Sequence, residues 1–292
     1  MSNLTFFEAQ KWAFSFVEKH DGERSAIELL LKGGLRGWSS VELLCHYSEQ
    51  LTPAELVQFK KWVKCYNDGW PVQYLLGKAS FFGHEFKVNE NTLIPRPETA
   101  ELVEWVLADY PAQIQQLRVA DIGTGTGAIG ISLQKERPAW EVTLTDISPA
   151  ALQVAQVNAA RLKAHVRLLE GDLFAPLTGQ YQVIVSNPPY IAVNEQRFMD
   201  KSVLEHEPNA ALFASENGLH FYHRIAAEIK PFISAETCLY LEIGFQQGMA
   251  VKKIFNEHFP TASVTVKRDL AGNERMVKVE FNIRRDESNA DY

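Results

Sequence analysis

The chain has 292 residues, of which 46% are hydrophobic and 22% are charged, a composition typical of a globular protein with room for two domains. Its formal net charge of −7 argues against a protein that mainly covers nucleic-acid phosphate, and it favours a protein or small-molecule substrate. It contains neither a long apolar run nor a signal-peptide pattern, and its three cysteines lack zinc-site or disulfide spacing, so we predict a cytoplasmic protein with reduced thiols.

The first seventy residues have apolar side chains at helical spacing, for example at Ile27, Leu30 and Leu31. Ser39 and Thr52 each begin a sequence that fits a capping box, in which a hydroxyl and a glutamate three residues later satisfy the first backbone N–H groups of a helix. We therefore predict a small helical domain over residues 1–70. This segment contains no group suited to catalysis.

Residues 71–95 are predicted to form a β-hairpin linker. The strand-like sequence Phe81–Val88 is followed by the turn-forming residues Asn89–Asn91 and then by Thr92–Ile94. A helix is expected to begin near Arg96, because a proline follows at the first helical turn and apolar residues then recur at helical spacing.

Beyond this helix, short β-branched or apolar segments alternate with helix-length stretches, which is typical of a doubly wound parallel sheet. The last two strands are separated by Ala271–Arg275 and predict an antiparallel hairpin at one edge. We therefore predict an α/β domain over residues 96–285, followed by a flexible polar tail at 286–292. The predicted strands are Leu117–Ile122, Glu141–Ile147, Val166–Gly171, Tyr181–Ser186, Thr237–Ile243, Val264–Leu270 and Met276–Ile283.

A glycine-rich turn, Gly123-Thr124-Gly125-Thr126-Gly127, directly follows the first strand of this domain. Glycines lack the Cβ atom that would keep a ligand away from the backbone. Asp146 ends the next strand, where its carboxylate can accept both hydroxyl protons of a ribose. These residues predict a nucleoside pocket. Gly125, Gly127 and Gly130 also fit the dinucleotide pattern, which leaves a nicotinamide dehydrogenase open.

Two further acidic positions make the segment resemble the class I S-adenosylmethionine methyltransferases. Asp121 lies two residues before the first glycine, and Asp172 with Leu173 follows the third strand. The resemblance implies S-adenosyl-L-methionine as cofactor, with Asp121 beside its methionine end, Asp146 on its ribose, and Asp172 and Leu173 at its adenine. It also implies a Rossmann-like, mainly parallel seven-stranded sheet. Asp121 could instead serve only as a cap for the turn.

The segment Asn187-Pro188-Pro189-Tyr190 follows the fourth strand, and its prolines end that strand and remove two backbone donors. An amide or aromatic amine is a poor nucleophile, so its nitrogen must be positioned rather than deprotonated. The Asn187 side-chain oxygen and the Pro188 carbonyl can accept both N–H protons of a planar amino group, and Tyr190 can stack on it. We predict that these four residues form the catalytic turn, with Asn187 also touching the cofactor.

The chain resembles the glutamine methyltransferase family that modifies the Gly-Gly-Gln loop of peptide-chain release factors. This resemblance implies a release factor as protein partner and methylation of the glutamine side-chain amide nitrogen. Because the helical domain has no chemistry of its own, we predict that it docks the substrate; the alternative is a cap that only stabilises the catalytic domain. We also expect a monomer that binds neither membrane nor nucleic acid directly. The matching stretches are Thr92–Thr99, Asp121–Gly127, Asn187–Tyr190, Leu241–Gly244, Gln246–Gly248 and Asp269–Arg275.

Alternatives to this prediction remain. A sister family acting on a ribosomal protein shares most motifs, although its pattern usually lacks Pro97-Glu98-Thr99; a nucleic-acid amino methyltransferase and a non-catalytic binding module are further alternatives. Leu173 departs from the family pattern, where a bulky aromatic is common, and so does Ala100, where an acid is usual. The histidines lack metal-site spacing, so no metal is predicted. Glu242 is more simply explained by a salt bridge than by a role in the pocket.

Overall fold

The computed structural model describes residues 4–17, 23–111 and 116–281, and the chain divides into two compact units. The first comprises residues 1–78 and 199–206, and the second comprises residues 79–198 and 207–292. The predicted tail at 286–292 and the predicted end of the last strand at Ile283 lie outside the described residues. None of the described helices is long and apolar enough to span a bilayer.

The first unit is helical, as the sequence predicts. Capping boxes are present at Ser39 and Thr52, where each hydroxyl accepts a backbone N–H and the glutamate three residues later reaches back. Its core is built from the apolar stripes of these helices and includes Phe6, Leu30 and Phe59. The helices are α1 (Phe6–Val17), α2 (Arg24–Leu29), α3 (Ser40–Cys45), α4 (Pro53–Asn67), α5 (Val72–Leu76) and α9 (Lys201–His206), and a π-helical turn at Leu30–Gly34 continues α2.

A β-hairpin is present, but the predicted turn at Asn89–Asn91 is wrong. The strands are β1 (Lys78–Phe81) and β2 (His84–Lys87), and they are joined through Phe82 and Gly83. Both turn residues have positive φ, +47° and +73° respectively, as tight hairpin turns require. Phenylalanine rarely adopts this conformation, so the sequence gives no warning of the turn. Thr92–Ile94 is not a strand.

Seven strands of the second unit form one sheet in the order β10-β11-β9-β6-β3-β4-β5, and the parallel strands and the antiparallel hairpin are confirmed. The strands are β3 (Arg118–Ile122), β4 (Glu141–Asp146), β5 (Val166–Glu170), β6 (Val183–Ser186), β9 (Cys238–Glu242), β10 (Ser263–Arg268) and β11 (Glu274–Glu280). Two short strands that the sequence did not predict, β7 (Ile191–Ala192) and β8 (Phe213–Ala214), pair in parallel.

Helices cover both faces of this sheet, which explains why every residue of the central strand β6 is buried. Within β6, Val183 and Val185 belong to one hydrophobic cluster and Ile184 to the other, because successive side chains of a strand point to opposite faces. The helices of this unit are α6 (Pro97–Asp109), α7 (Ala128–Glu136), α8 (Pro149–Leu162), α10 (Asn209–Leu212), α11 (His220–Glu228) and α12 (Gly248–His258), with 3₁₀ turns at Val193–Phe198 and Lys230–Phe232.

The strand order reverses at β3. The next strand in sequence, β4, lies on one side of β3, whereas β6 lies on its other side. Ligands of open α/β sheets bind at such a switch point, outside the carboxyl ends of the strands, because the chain departs there in opposite directions and leaves a crevice. The glycine turn follows β3 and Asn187 follows β6, so the fold places both at this crevice.

Candidate active site

One cavity of the second unit opens at the carboxyl ends of β3, β4 and β6. It brings together most of the predicted site residues, although these come from four separate segments of the sequence. Asp121, Gly127 and Tyr190 are not among its lining residues. The predicted site residues that do line it are Gly123, Thr124, Gly125, Thr126, Asp146, Asp172, Leu173, Asn187, Pro188 and Pro189.

The glycines of the turn have two different functions in the structure. Gly123 and Gly125 have positive φ, and a Cβ atom built on either would meet nothing within 4 Å, so both leave open space at the cavity. A Cβ atom on Gly127 would lie 2.6 Å from Ile131, and one on Gly130 would lie 2.2 Å from Leu144. The first pair therefore provides a ligand cradle, and the second pair allows α7 to pack closely.

Asp146 lies at the end of β4 with its carboxylate at the cavity. Its Oδ2 accepts a hydrogen bond from the Gly125 N–H (2.8 Å), and its Oδ1 accepts one from the Ser148 N–H (2.9 Å). Burial raises the pKa of this carboxyl, while these backbone N–H groups lower it. Each carboxylate oxygen has a second lone pair, so Asp146 can still accept two hydroxyl protons from a ligand.

Asp121 is fully buried at the end of β3. Its Oδ2 accepts hydrogen bonds from the Thr124 hydroxyl (2.6 Å) and from the Gly130 N–H (2.9 Å). Burial raises its pKa to about 6, and its Oδ1 is buried without a hydrogen-bond partner in the described residues. These contacts join the glycine turn to the first turn of α7 through Asp121, and its role beside the methionine end of a cofactor stays a prediction.

Asp172 and Leu173 follow β5 and line the cavity. Both Asp172 carboxylate oxygens accept hydrogen bonds from Arg224 of α11, at 3.1 and 2.9 Å. Leu173 has a φ of +44°, and its carbonyl accepts a hydrogen bond from the Thr145 hydroxyl. The Asp172 side chain is thus already paired to a cation, and contact of the two residues with adenine stays a prediction.

The turn after β6 begins with Ser186, whose hydroxyl donates to the Ile122 carbonyl (2.7 Å) and joins β6 to β3. The Asn187 Nδ2 group donates to Thr99 Oγ1 at 3.3 Å. The other amide atom, Asn187 Oδ1, has no hydrogen-bond partner within the described part of the chain, and neither does the Pro188 carbonyl. Two acceptors of adjacent residues are therefore available at the cavity.

Tyr190 points away from the lining residues. Its hydroxyl donates to Glu242 Oε1 (3.2 Å), and its carbonyl accepts a hydrogen bond from the Gln247 side-chain amide (2.9 Å). Burial raises the pKa of the Tyr190 phenol. These contacts anchor the end of the turn, and the stacking of Tyr190 on a substrate stays a prediction.

Sequence reasoning missed the structural part played by two acids near this site. Glu242, interpreted from the sequence as part of a salt bridge, is fully buried and accepts hydrogen bonds from Thr99 and Tyr190. Glu207 is also buried, and it binds Arg96 (2.6 Å) and the Ile94 N–H. The available signal for Glu242 was its place at the carboxyl end of a strand adjacent to β6. Across the described residues, no cluster of potential metal ligands occurs.

This sheet, with a glycine turn after β3 and an acid after β4, defines a class I methyltransferase. The family model for the methyltransferase small domain matches residues 102–214, and the model for the PrmC N-terminal domain matches residues 8–77. A crystal structure of a methyltransferase from Pyrococcus furiosus has the same fold, with a TM-score of 0.52 at 18% identity, over 70% of this chain and 91% of that one.

Relatives identify the family. The release factor glutamine methyltransferase of Enterococcus faecalis is 41% identical over 94% of this chain and 99% of its own length. That of Bacillus subtilis is 40% identical over 94% of this chain and 96% of its own length. The chain belongs to the release factor glutamine methyltransferase family, which rules out the dehydrogenase left open by Gly125, Gly127 and Gly130.

Proposed function

We propose that this chain transfers a methyl group from S-adenosyl-L-methionine to the side-chain amide nitrogen of the glutamine in the Gly-Gly-Gln motif of peptide-chain release factors. One observation carries the proposal: two unpaired acceptors, Asn187 Oδ1 and the Pro188 carbonyl, belong to residues that line the same cavity as the glycine cradle and Asp146. Family membership supports the same activity.

The cavity fits the cofactor at two points. Gly123 and Gly125 leave the space that a side chain would otherwise fill, and Asp146 keeps lone pairs for two ribose hydroxyls. Asp172 and Leu173 are proposed to meet the adenine. When bound, S-adenosyl-L-methionine would supply a methyl group on a sulfonium, which is electrophilic enough to react with a neutral nitrogen. The nitrogen–carbon bond would form as the sulfur–carbon bond breaks, with S-adenosylhomocysteine as the leaving group and the surplus amide proton passing to water.

The protein's part in the reaction is to hold the glutamine amide in place. Amide nitrogen is a weak nucleophile because its lone pair is delocalised into the carbonyl. If Asn187 Oδ1 and the Pro188 carbonyl each accept one N–H of the substrate, the nitrogen is held in one orientation, and the partial negative charges of the two acceptors stabilise positive charge as it develops there. The stiffness of the two prolines keeps these acceptors from relaxing away.

A release factor is preferred over the alternatives for two reasons. The net charge of −7 is poorly suited to a nucleic-acid substrate, and the motif Pro97-Glu98-Thr99 matches the release-factor family rather than the ribosomal-protein family. In this chain Thr99 hydrogen-bonds to Asn187, so the distinguishing motif is in direct contact with the catalytic turn. We further propose that the protein acts as a cytoplasmic monomer without contacting nucleic acid.

We expect mass spectrometry to find one added methyl group on the glutamine of Gly-Gly-Gln when the full chain is incubated with S-adenosyl-L-methionine and a purified release factor. A release factor in which this glutamine is replaced by asparagine is the matched control and should gain no methyl group. A ribosomal protein offered in a parallel incubation distinguishes the sister activity. Methylation of the ribosomal protein but not of the release factor would refute the proposal.

The helical first unit is proposed to dock the release factor, because a glutamine on a protein loop is reached only if the protein carrying it is held. Val41 and Leu44 lie three residues apart on α3 and are 68% and 59% exposed. This spacing puts them on the same face of the helix. An exposed apolar pair that the unit's own core does not use is suited to contact with a protein partner.

We expect the double variant Val41→Ser, Leu44→Ser to methylate the intact release factor about tenfold less efficiently, since losing two apolar contacts costs about 1–3 kcal/mol of binding. Its kcat/KM on a short Gly-Gly-Gln peptide should be unchanged. Leu270→Ser, which removes an apolar side chain that is 94% exposed in the second unit, is the control. An unchanged kcat/KM on the intact protein would eliminate this docking face.

A further inference from the structure

Hydrogen bonds through two buried residues, Thr99 and Glu242, connect the two ends of the catalytic turn, Asn187 and Tyr190. Asn187 Nδ2 lies 3.3 Å from Thr99 Oγ1, and Thr99 Oγ1 lies 2.6 Å from Glu242 Oε2. The second carboxylate oxygen, Oε1, accepts the Tyr190 hydroxyl at 3.2 Å. Thr99 and Glu242 are 4% and 1% exposed, so water does not compete freely for these bonds.

The donor and acceptor in each of these hydrogen bonds follow from the number of protons that each group carries. An ionised carboxylate only accepts hydrogen bonds, and a threonine hydroxyl has a single proton to donate. Since the Thr99 proton lies on the short bond to Glu242, Thr99 Oγ1 can only accept on its other side. It therefore requires an N–H of the Asn187 amide, which turns the amide oxygen toward the cavity.

Glu242 can remain ionised although it is buried. Burial raises the pKa of its carboxyl above the ordinary value and the nearby charge of Glu98 adds to this, while the Thr99 hydrogen bond, the positive charge of Arg275 and the Tyr190 hydrogen bond offset part of the shift. Arg275 does not bond to Glu242; it binds Asp269 and the Ile243 carbonyl at the same end of the sheet. The carboxylate thus has donors on both oxygens and a cation nearby, which is what a buried charge requires.

We propose that Thr99 and Glu242 are positioning residues, which orient the Asn187 amide so that its oxygen, and not its NH₂ group, faces the glutamine to be methylated. The inference rests on the proposed function, and it explains what holds the Asn187 side-chain oxygen in the orientation that the proposed function requires. Without the hydrogen bonds to Thr99 and Glu242, the Asn187 side-chain amide can rotate by half a turn. An NH₂ group would then face the NH₂ group of the substrate, and no hydrogen bond could form between them.

Replacing Glu242 with glutamine is expected to exchange donor and acceptor in the hydrogen bonds that connect residue 242, Thr99 and Asn187. The Tyr190 hydroxyl donates to the glutamine oxygen, so the new NH₂ group lies toward Thr99 and donates to it. The Thr99 proton is then displaced toward Asn187, where it requires the amide oxygen as acceptor. The variant has nearly the same shape as the wild type, yet it presents the wrong side of Asn187 to the substrate.

We expect Thr99→Val, which keeps the shape but removes the hydroxyl, to lower kcat on a Gly-Gly-Gln peptide roughly tenfold, the factor that corresponds to about one lost hydrogen bond. Thr99→Ser restores the hydroxyl and should keep kcat within about twofold. Glu242→Gln should lower kcat at least as much as Thr99→Val. The affinity for S-adenosylhomocysteine should stay near that of the wild type in all three variants, because none of the changed groups belongs to the proposed cofactor contacts.

The comparison of valine with serine decides the proposal even if Glu242→Gln fails to fold. A Thr99→Val variant with more than half of the wild-type kcat would overturn it, and so would equal losses in the valine and serine variants, since those would indicate packing. The double variant Thr99→Val, Glu242→Gln should be no slower than the slower single variant, because both act through Asn187. A wild-type chain without activity on release factor or peptide would instead refute the proposed function.

Discussion

Asn187→Ala is expected to lower the turnover number by about a hundredfold or more, while the affinity for S-adenosylhomocysteine stays close to that of the wild type. The effect is large because the side-chain oxygen is one of two acceptors for the substrate N–H groups, and removing one positioned hydrogen-bonding group from a transition-state site costs about 10²–10³ in rate. Single-turnover kinetics with a Gly-Gly-Gln peptide, together with calorimetric titration of S-adenosylhomocysteine, separates the chemical step from cofactor binding.

Asn91→Ala is the matched control for this measurement. Asn91 is also an asparagine that lines the cavity, but its backbone N–H bonds only to the nearby Asn89 side chain, and it belongs to no part of the proposed catalytic turn. Its loss should change turnover by less than about threefold, the range expected when no buried partner is left unpaired. If Asn187→Ala were also within threefold of the wild type, the acceptor mechanism would have to be abandoned.

Asp146→Ala is expected to abolish most of the thermal stabilisation that S-adenosylhomocysteine gives to the wild-type protein. The variant removes the acceptor proposed for two ribose hydroxyls and also releases the Gly125 and Ser148 N–H groups from their hydrogen bonds. An unpaired polar group costs about 1–3 kcal/mol, so the affinity should fall roughly tenfold to a hundredfold. The shift in melting temperature with increasing ligand measures this loss.

Glu141→Ala provides the control within the same strand. Glu141 is an exposed acid at the opposite end of β4, so the substitution changes the net charge equally without touching the cavity. It should leave the ligand-induced shift intact. Asp146→Asn, which keeps one of the two oxygen acceptors, should give an intermediate affinity. Wild-type affinity in Asp146→Ala would remove Asp146 from the cofactor site.

The buried acids of the second unit organise the site without lining its cavity. Asp121 bonds to Thr124 in the glycine turn and to Gly130 in α7, and Glu242 bonds to Thr99 in α6 and to Tyr190 at the end of the catalytic turn. In both cases a carboxylate accepts hydrogen bonds from groups that would otherwise move independently. Such support keeps the ligand contacts in place before a ligand binds, which lowers the cost of ordering them on binding.

The strands, the glycine turn and the catalytic turn were predictable because each is a local feature of the chain. Short segments rich in β-branched and apolar residues identify the strands, and positive φ at Gly123 and Gly125 needs only the absence of a Cβ atom. The residue types in Asn187-Pro188-Pro189-Tyr190 also indicate a function by themselves, since two prolines and an amide define which hydrogen-bond acceptors the turn can offer. For these features the nearest neighbours in sequence are the relevant neighbours in space.

Tertiary structure alone decided which polar groups meet. Thr99 is 88 residues from Asn187 and 143 residues from Glu242, and only the switch point at β3 and β6 and the neighbouring strand β9 bring the three together. The pairing of Asp172 with Arg224 and the turn at Phe82 were equally unpredictable. The sequence does not distinguish a buried carboxylate from an exposed one, because burial depends on packing by residues far away in the chain. The sequence therefore determined which chemical groups this protein has, and the sheet determined which of them contact Asn187.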